Sequence, residues 1–99
     1  MTTATQSIQT KTEEYNGWSN RETWLAFLWL TNDQGNYSVF LEAQKLDVPA
    51  WRKAEWLRDF LEEQLNREIS GPSIWKDLLV HAFRCVSWEE IIDNNEELI

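Results

Sequence analysis

Seven tryptophans in 99 residues constrain this chain more than any other feature. Each indole has up to about 250 Å² of surface to bury and an N–H that needs a partner. Four Phe and two Tyr add to them, and 42% of the sequence is hydrophobic. That is too much apolar surface for a disordered chain, even at a formal net charge of −8. A chain of this length can bury one core without a disulfide or a metal, so one domain is expected. The lone cysteine, Cys85, has no partner for an intramolecular bridge. The opening Met1-Thr2-Thr3 has no basic region followed by an apolar one, as a secretion signal would. The longest apolar run, Trp24 to Leu30, is seven residues, far short of the ~20 that cross a bilayer. A cytoplasmic protein without a membrane span is the expectation.

Local patterns divide the chain into helices. Residues 1 to 14 are rich in Thr and Gln, with Ile8 as the only large apolar side chain after Met1, and read as a flexible tail. Residues 15 to 99 read as a single helical domain. Asn16-Gly17 signals a turn, and Ser19-Asn20-Arg21-Glu22 has the spacing of a capping box. The body that follows, Thr23 to Leu30, is apolar all round and predicts a central, buried helix. Turn formers from Thr31 to Asn36 end it. A short second helix is predicted from Tyr37 to Leu46, and a third from Pro49 to about Glu68, with proline suited to a first helical position. In the third, Ala50, Ala54, Leu57, Leu61, Leu65 and Ile69 form the apolar stripe.

Ser70-Gly71-Pro72-Ser73 is the clearest break. Ile74, Trp75, Leu78, Leu79, Ala82, Phe83 and Val86 then recur at the most regular helical spacing in the chain. Ser87-Trp88-Glu89-Glu90 repeats the capping-box spacing and opens a short last helix carrying Trp88, Ile91 and Ile92 to the core. The fold class is therefore all-α: a compact bundle of about four to five helices around a Trp-rich core. Trp24, Trp29, Trp75 and Trp88 are assigned to core faces.

Catalysis is not expected. Asp77, His81 and Cys85 stand at i, i+4 and i+8, which lines up an acid, an imidazole and a thiol. Side chains in that relation lie side by side along a helix, with no oxyanion donors between them. They read as a boundary His and a small half-buried Cys. A structural zinc site wants four ligands, and the chain offers one His and one Cys, so no metal is assigned. Adjacent carboxylates such as Glu62-Glu63 and Glu89-Glu90 read as solvated helix faces rather than an acid–base pair. With Gly17, Gly35 and Gly71 as the only glycines there is no phosphate-binding loop, and no cofactor is expected.

Recognition by contact is the remaining class. The nine bases are scattered and mostly beside acids, so direct binding to nucleic acid is not expected. Glu55, Asp59 and Glu62 make a carboxylate stripe on the third helix, within reach of Arg52 and Arg58. From Glu89 onward there are five acids, including Glu90 and Asp93, and no base. Trp51 and Trp56 are five residues apart, about 140° around a helix, so both cannot face one core line. An exposed Trp is a common interface anchor. Glu55, Asp59, Glu62, Trp51, Trp56, Glu89, Glu90 and Asp93 are therefore the candidate partner-binding residues, and a protein with a basic surface is the candidate partner. Ordinary solvated surface is the simpler account of the same acids.

The segment Tyr15-Asn16-Gly17-Trp18-Ser19-Asn20-Arg21-Glu22-Thr23-Trp24, with Leu28-Trp29-Leu30 after it, resembles the opening motif of a family of small uncharacterised proteins from bacteriophages, plasmids, bacteria and archaea. The likeness extends weakly to Asp77-Leu78-Leu79 and to Val86 through Ile91. It brings no catalytic residues. It implies a mobile-element setting, in which small acidic proteins inhibit host defence, as anti-CRISPR or antirestriction factors do, by occupying nucleic-acid-binding surfaces in the host cytosol. The alternative expectation is an assembly module that self-associates, as a homodimer for instance, or docks through exposed aromatics.

Overall fold

In a computed structural model, residues 15–96 are described, and the expected tail, residues 1–14, lies outside them, as do residues 97–99. The described residues form five helices and no strand. These are α1 (Arg21–Asn32), α2 (Gln34–Lys45), α3 (Ala50–Glu68), α4 (Ile74–Cys85) and α5 (Trp88–Asp93). The first turn is set by Asn16 and Gly17, both at positive φ, which lets the Trp18 amide donate to the Tyr15 carbonyl at 2.9 Å. Trp18 is thereby folded onto α1, its ring centroid 4.7 Å from that of Phe27.

The cap of α1 differs from the expected box. Asn20, not Ser19, accepts from the Thr23 amide, at 2.8 Å. Ser19 is engaged elsewhere: its amide and hydroxyl both donate to the Glu90 carboxylate, at 3.1 and 2.6 Å. The predicted loop from Thr31 to Asn36 shrinks to Asp33 alone. Its amide donates to Trp29 O, and its side chain caps α2 by accepting from Asn36 N. One residue thus serves as the end of one helix and the start of the next, so α2 begins before the predicted Tyr37.

The core is built mainly from the later helices. Phe40 and Ala43 of α2, Ala54 and Leu57 of α3, and Trp88, Ile91 and Ile92 of α5 are buried, with Leu30 of α1 and Trp18. α5 lies on α3 and touches α1, while α2 bridges α1 and α3. Polar groups secure the short helix. The fully buried Thr23 hydroxyl accepts from the Ser87 amide at 2.9 Å, and Asn20 Nδ2 donates to Cys85 O at 2.8 Å. Gln44 Nε2, also buried, donates to Ile92 O at 3.1 Å. Lys53 reaches Glu96 at 3.5 Å with its stem in the core.

Two expectations are corrected. α1 is not buried all round, since only Thr23 and Leu30 are fully enclosed and Trp29 is 66% exposed. α4, the most regular amphipath, has no buried residue, and Trp75 is 71% exposed. The Trp-rich core is therefore partial: Trp18 and Trp88 are buried, Trp24 and Trp56 pack half-buried against the core, and Trp29 and Trp75 do not belong to it. The reason is that α5, not α4, takes the seat against α3.

Thr23→Val keeps the volume at this position but leaves the Ser87 amide without its acceptor. It is expected to cost about 1–3 kcal/mol, read as a lower urea midpoint at unchanged slope.

Candidate functional site

α4 begins where Gly71, at φ +81, turns the chain and Ser73 accepts from the Lys76 amide at 2.9 Å. Lys76 then reaches back to donate to Ile69 O at 2.8 Å, tying the end of α3 to the start of α4. Phe83 and Val86 turn one edge of the helix inward, the Phe83 ring meets that of Trp88 at 5.2 Å, and Leu79 stands at the rim, 42% exposed. The other apolar edge, Ile74, Trp75 and Leu78, faces solvent. Leu25 and Trp29, one turn apart on α1, are exposed as well.

Between these helices lies an open cleft of about 450 Å³. α1 contributes Ala26, Trp29 and Leu30, α3 contributes Leu61, Gln64, Leu65 and Glu68, and α4 contributes Leu79 and Phe83. Glu68 is the one charged lining group, and it accepts from Gln64 Nε2 at 3.0 Å. Trp29 and Leu79 both line the cleft, so the exposed strips of α1 and α4 join across it. Large contiguous apolar surfaces on a protein mark docking sites.

The residues singled out from sequence lie elsewhere. Trp51, Glu55 and Glu89 share a shallow recess with Arg58 beside Trp88. Trp51 is exposed, with the Arg52 guanidinium 5.6 Å from its ring. Trp56 stacks on Phe60 at 5.5 Å and joins Asp59 in a neighbouring recess near Leu46 and Val48. Glu55 and Asp59 are drawn to Arg52 and Arg58, at 3.9 and 3.0 Å. Glu62, Glu89 and Asp93 are exposed, whereas Glu90 is half-buried and holds Ser19. Three of the eight residues thus converge on one recess, and Glu90 works inside the fold. The α1–α4 face went unseen because a helical period marks an apolar side without saying whether the molecule itself covers it.

His81 Nε2 stands 3.9 Å from Cys85 Sγ on the exposed side of α4. Among the described residues no group of three or more His, Cys, Asp or Glu could hold a metal ion. No described helix is long and apolar enough to cross a membrane.

A family model matches residues 11–98, nearly the whole chain. The chain belongs to the family of unknown function DUF7249. No curated protein and no solved structure matches this DUF7249 chain. The motif from Tyr15 to Trp24 falls within the matched span; its backbone makes the turn, and its side chains make the Asn20 cap and the Thr23–Ser87 bond.

Trp75→Ala is expected to change the stability of the dilute protein by no more than about 0.5 kcal/mol, as for an exposed side chain. Trp88→Ala, which empties a core position, costs about 3–5 kcal/mol. Equilibrium unfolding of the two variants side by side checks the contrast.

Proposed function

We propose that this DUF7249 chain is a non-enzymatic protein-interaction module whose main docking surface is the apolar face of α1 and α4. One observation carries the reading: Trp29, at an open apolar cleft, and Ile74, Trp75 and Leu78 along α4 stand in solvent, although each is of a type that folding would otherwise bury. Exposed indoles are the side chains that most often anchor interfaces.

A second reading is favoured by the recess of Trp51, Glu55, Arg58 and Glu89, where an exposed indole, with Arg52 over its ring, stands beside two carboxylates on a protein of net charge −8. That recess suits a partner with a basic surface, and long-range attraction would speed the encounter. In its sharpest form this partner is the nucleic-acid-binding surface of a host defence protein, blocked in the cytoplasm by a factor of mobile-element origin. The resemblance of the opening motif supports this form.

Affinity capture with the tagged protein from a lysate of its native cell tests both. The double variant Trp29→Ala, Trp75→Ala is expected to lose the captured partner, with binding little affected by salt. Replacing the recess's own acids, Glu55→Gln together with Glu89→Gln, is expected to lose only what raised salt also removes. Identical capture by the wild type and the double variant overturns the first reading; salt-independent capture by way of Trp51 overturns the second.

A further inference from the structure

We propose that the apolar face of α1 and α4 is covered by a second copy of this chain, the two copies packing α4 against α4 with each Trp75 entering the cleft of the other. The inference rests on reading that face as a docking surface and goes on to name its occupant. Three observations favour a second copy over an unrelated protein.

The first is self-complementarity. A two-fold interface uses one patch twice, so that patch must hold both a projection and a cavity to receive it. Here Trp75 projects one turn before Leu79, and Leu79 lines the cleft. The cleft, at about 450 Å³, has room for an indole, and its walls of Ala26, Leu30, Leu61 and Leu65 are apolar.

The second is area. Leu25, Trp29, Ile74, Trp75, Leu78 and Leu79 are each at least 40% exposed. Together they leave on the order of 700 Å² uncovered, close to the ~800 Å² per partner of a standard interface.

The third is charge. A protein of net charge −8 ordinarily repels its own copies. Little of the excess acid is on this face: α1 and α4 together carry three bases, Arg21, Lys76 and Arg84, against two acids, Glu22 and Asp77, and Glu68 of α3 is the one carboxylate in the cleft. α5 has three acids and no base, and it packs on α3 rather than beside the exposed edge of α4. Two copies can therefore meet through α4 without pressing their carboxylates together, and only the long-range part of the repulsion remains.

That residual repulsion gives the pairing a signature opposite to capture of a basic partner. Salt screens it, so self-association tightens as salt rises, whereas attraction to a basic surface weakens. Sedimentation equilibrium of the full chain, from low micromolar to several hundred micromolar and at low and high salt, reads this directly. The expected result is a mass that rises from 11.8 kDa towards twice that value and rises at lower concentration in high salt. Trp75→Ala is expected to weaken pairing by roughly 30-fold or more, as for a central interface anchor, and Leu78→Asp to abolish it. Both residues are exposed in the single chain, so both variants keep their helical circular dichroism. Trp51→Ala, on the other surface, leaves pairing unchanged.

A wild type that stays monomeric throughout overturns the pairing. If Trp29→Ala, Trp75→Ala still loses a captured partner in that case, the docking reading stands without it; if capture is also unaffected, both fall. A dimer indifferent to Trp75→Ala and Leu78→Asp overturns the proposed geometry.

Discussion

A helix of six residues cannot hold itself in water, and α5 exists because the rest of the chain supplies what it lacks. Its first turn is fixed from outside. The Ser87 amide donates to Thr23, Ser19 grips Glu90, and Asn20 binds the carbonyl of Cys85 just upstream. Trp88, Ile91 and Ile92 then fill the space against α3, and Gln44 and Lys53 hold the chain beyond them. The opening motif and the C-terminal segment thus form one polar joint over one apolar seat. Breaking the joint would release the side chains that complete the core, so the bonds at Thr23 matter more than their number suggests.

The same seat explains α4. Because α5 occupies the groove along α3, α4 has only its Phe83 and Val86 edge to spend on the core, chiefly through the Trp88 ring. It is left as a connector from the far end of α3 back to α5, held at its start by Ser73 and Lys76 and at its end by Asn20. An apolar strip wider than its share of the core remains outside. The exposure of Ile74, Trp75 and Leu78 follows from how the core is completed, not from any weakness in the helix itself.

Much of this was legible in the residues. All five helices, the break at Gly71-Pro72 and the core roles of Leu57, Trp88, Ile91 and Ile92 follow from period and punctuation. Local competition misled the caps: Ser19 and Asn20 both suit a helix start, and only the position of Glu90, 71 residues away, decides that Asn20 serves α1. Asp33 was hidden for a related reason, since a cluster of turn formers reads as a loop although one of them can cap two helices. The site was less legible. The recess of Trp51, Glu55 and Glu89 needs α3 and α5 side by side, a contact between distant parts of the chain that periodicity alone does not reveal. The larger difference is on α1 and α4, where helical spacing predicts apolar residues for the interior and the fold leaves them in solvent.

The exposed strips of α1 and α4 reflect how the surface is organised. The chain carries more apolar surface than its small core can take, and more acid than its fold needs, and it keeps the two apart. The apolar excess lies mainly on α1 and α4, whose own charges nearly balance; the acid is strongest on α5, with three acids and no base, while α3, with five acids against four bases, also exposes Trp51 and Phe60. A protein under no demand but solubility would interleave carboxylates with its exposed leucines and indoles, since dispersed charge best suppresses association. Separating them preserves an adhesive face and leaves repulsion to act elsewhere. That arrangement lets one small domain present two surfaces of opposite salt response, one that docks by burying indoles and one that attracts by charge.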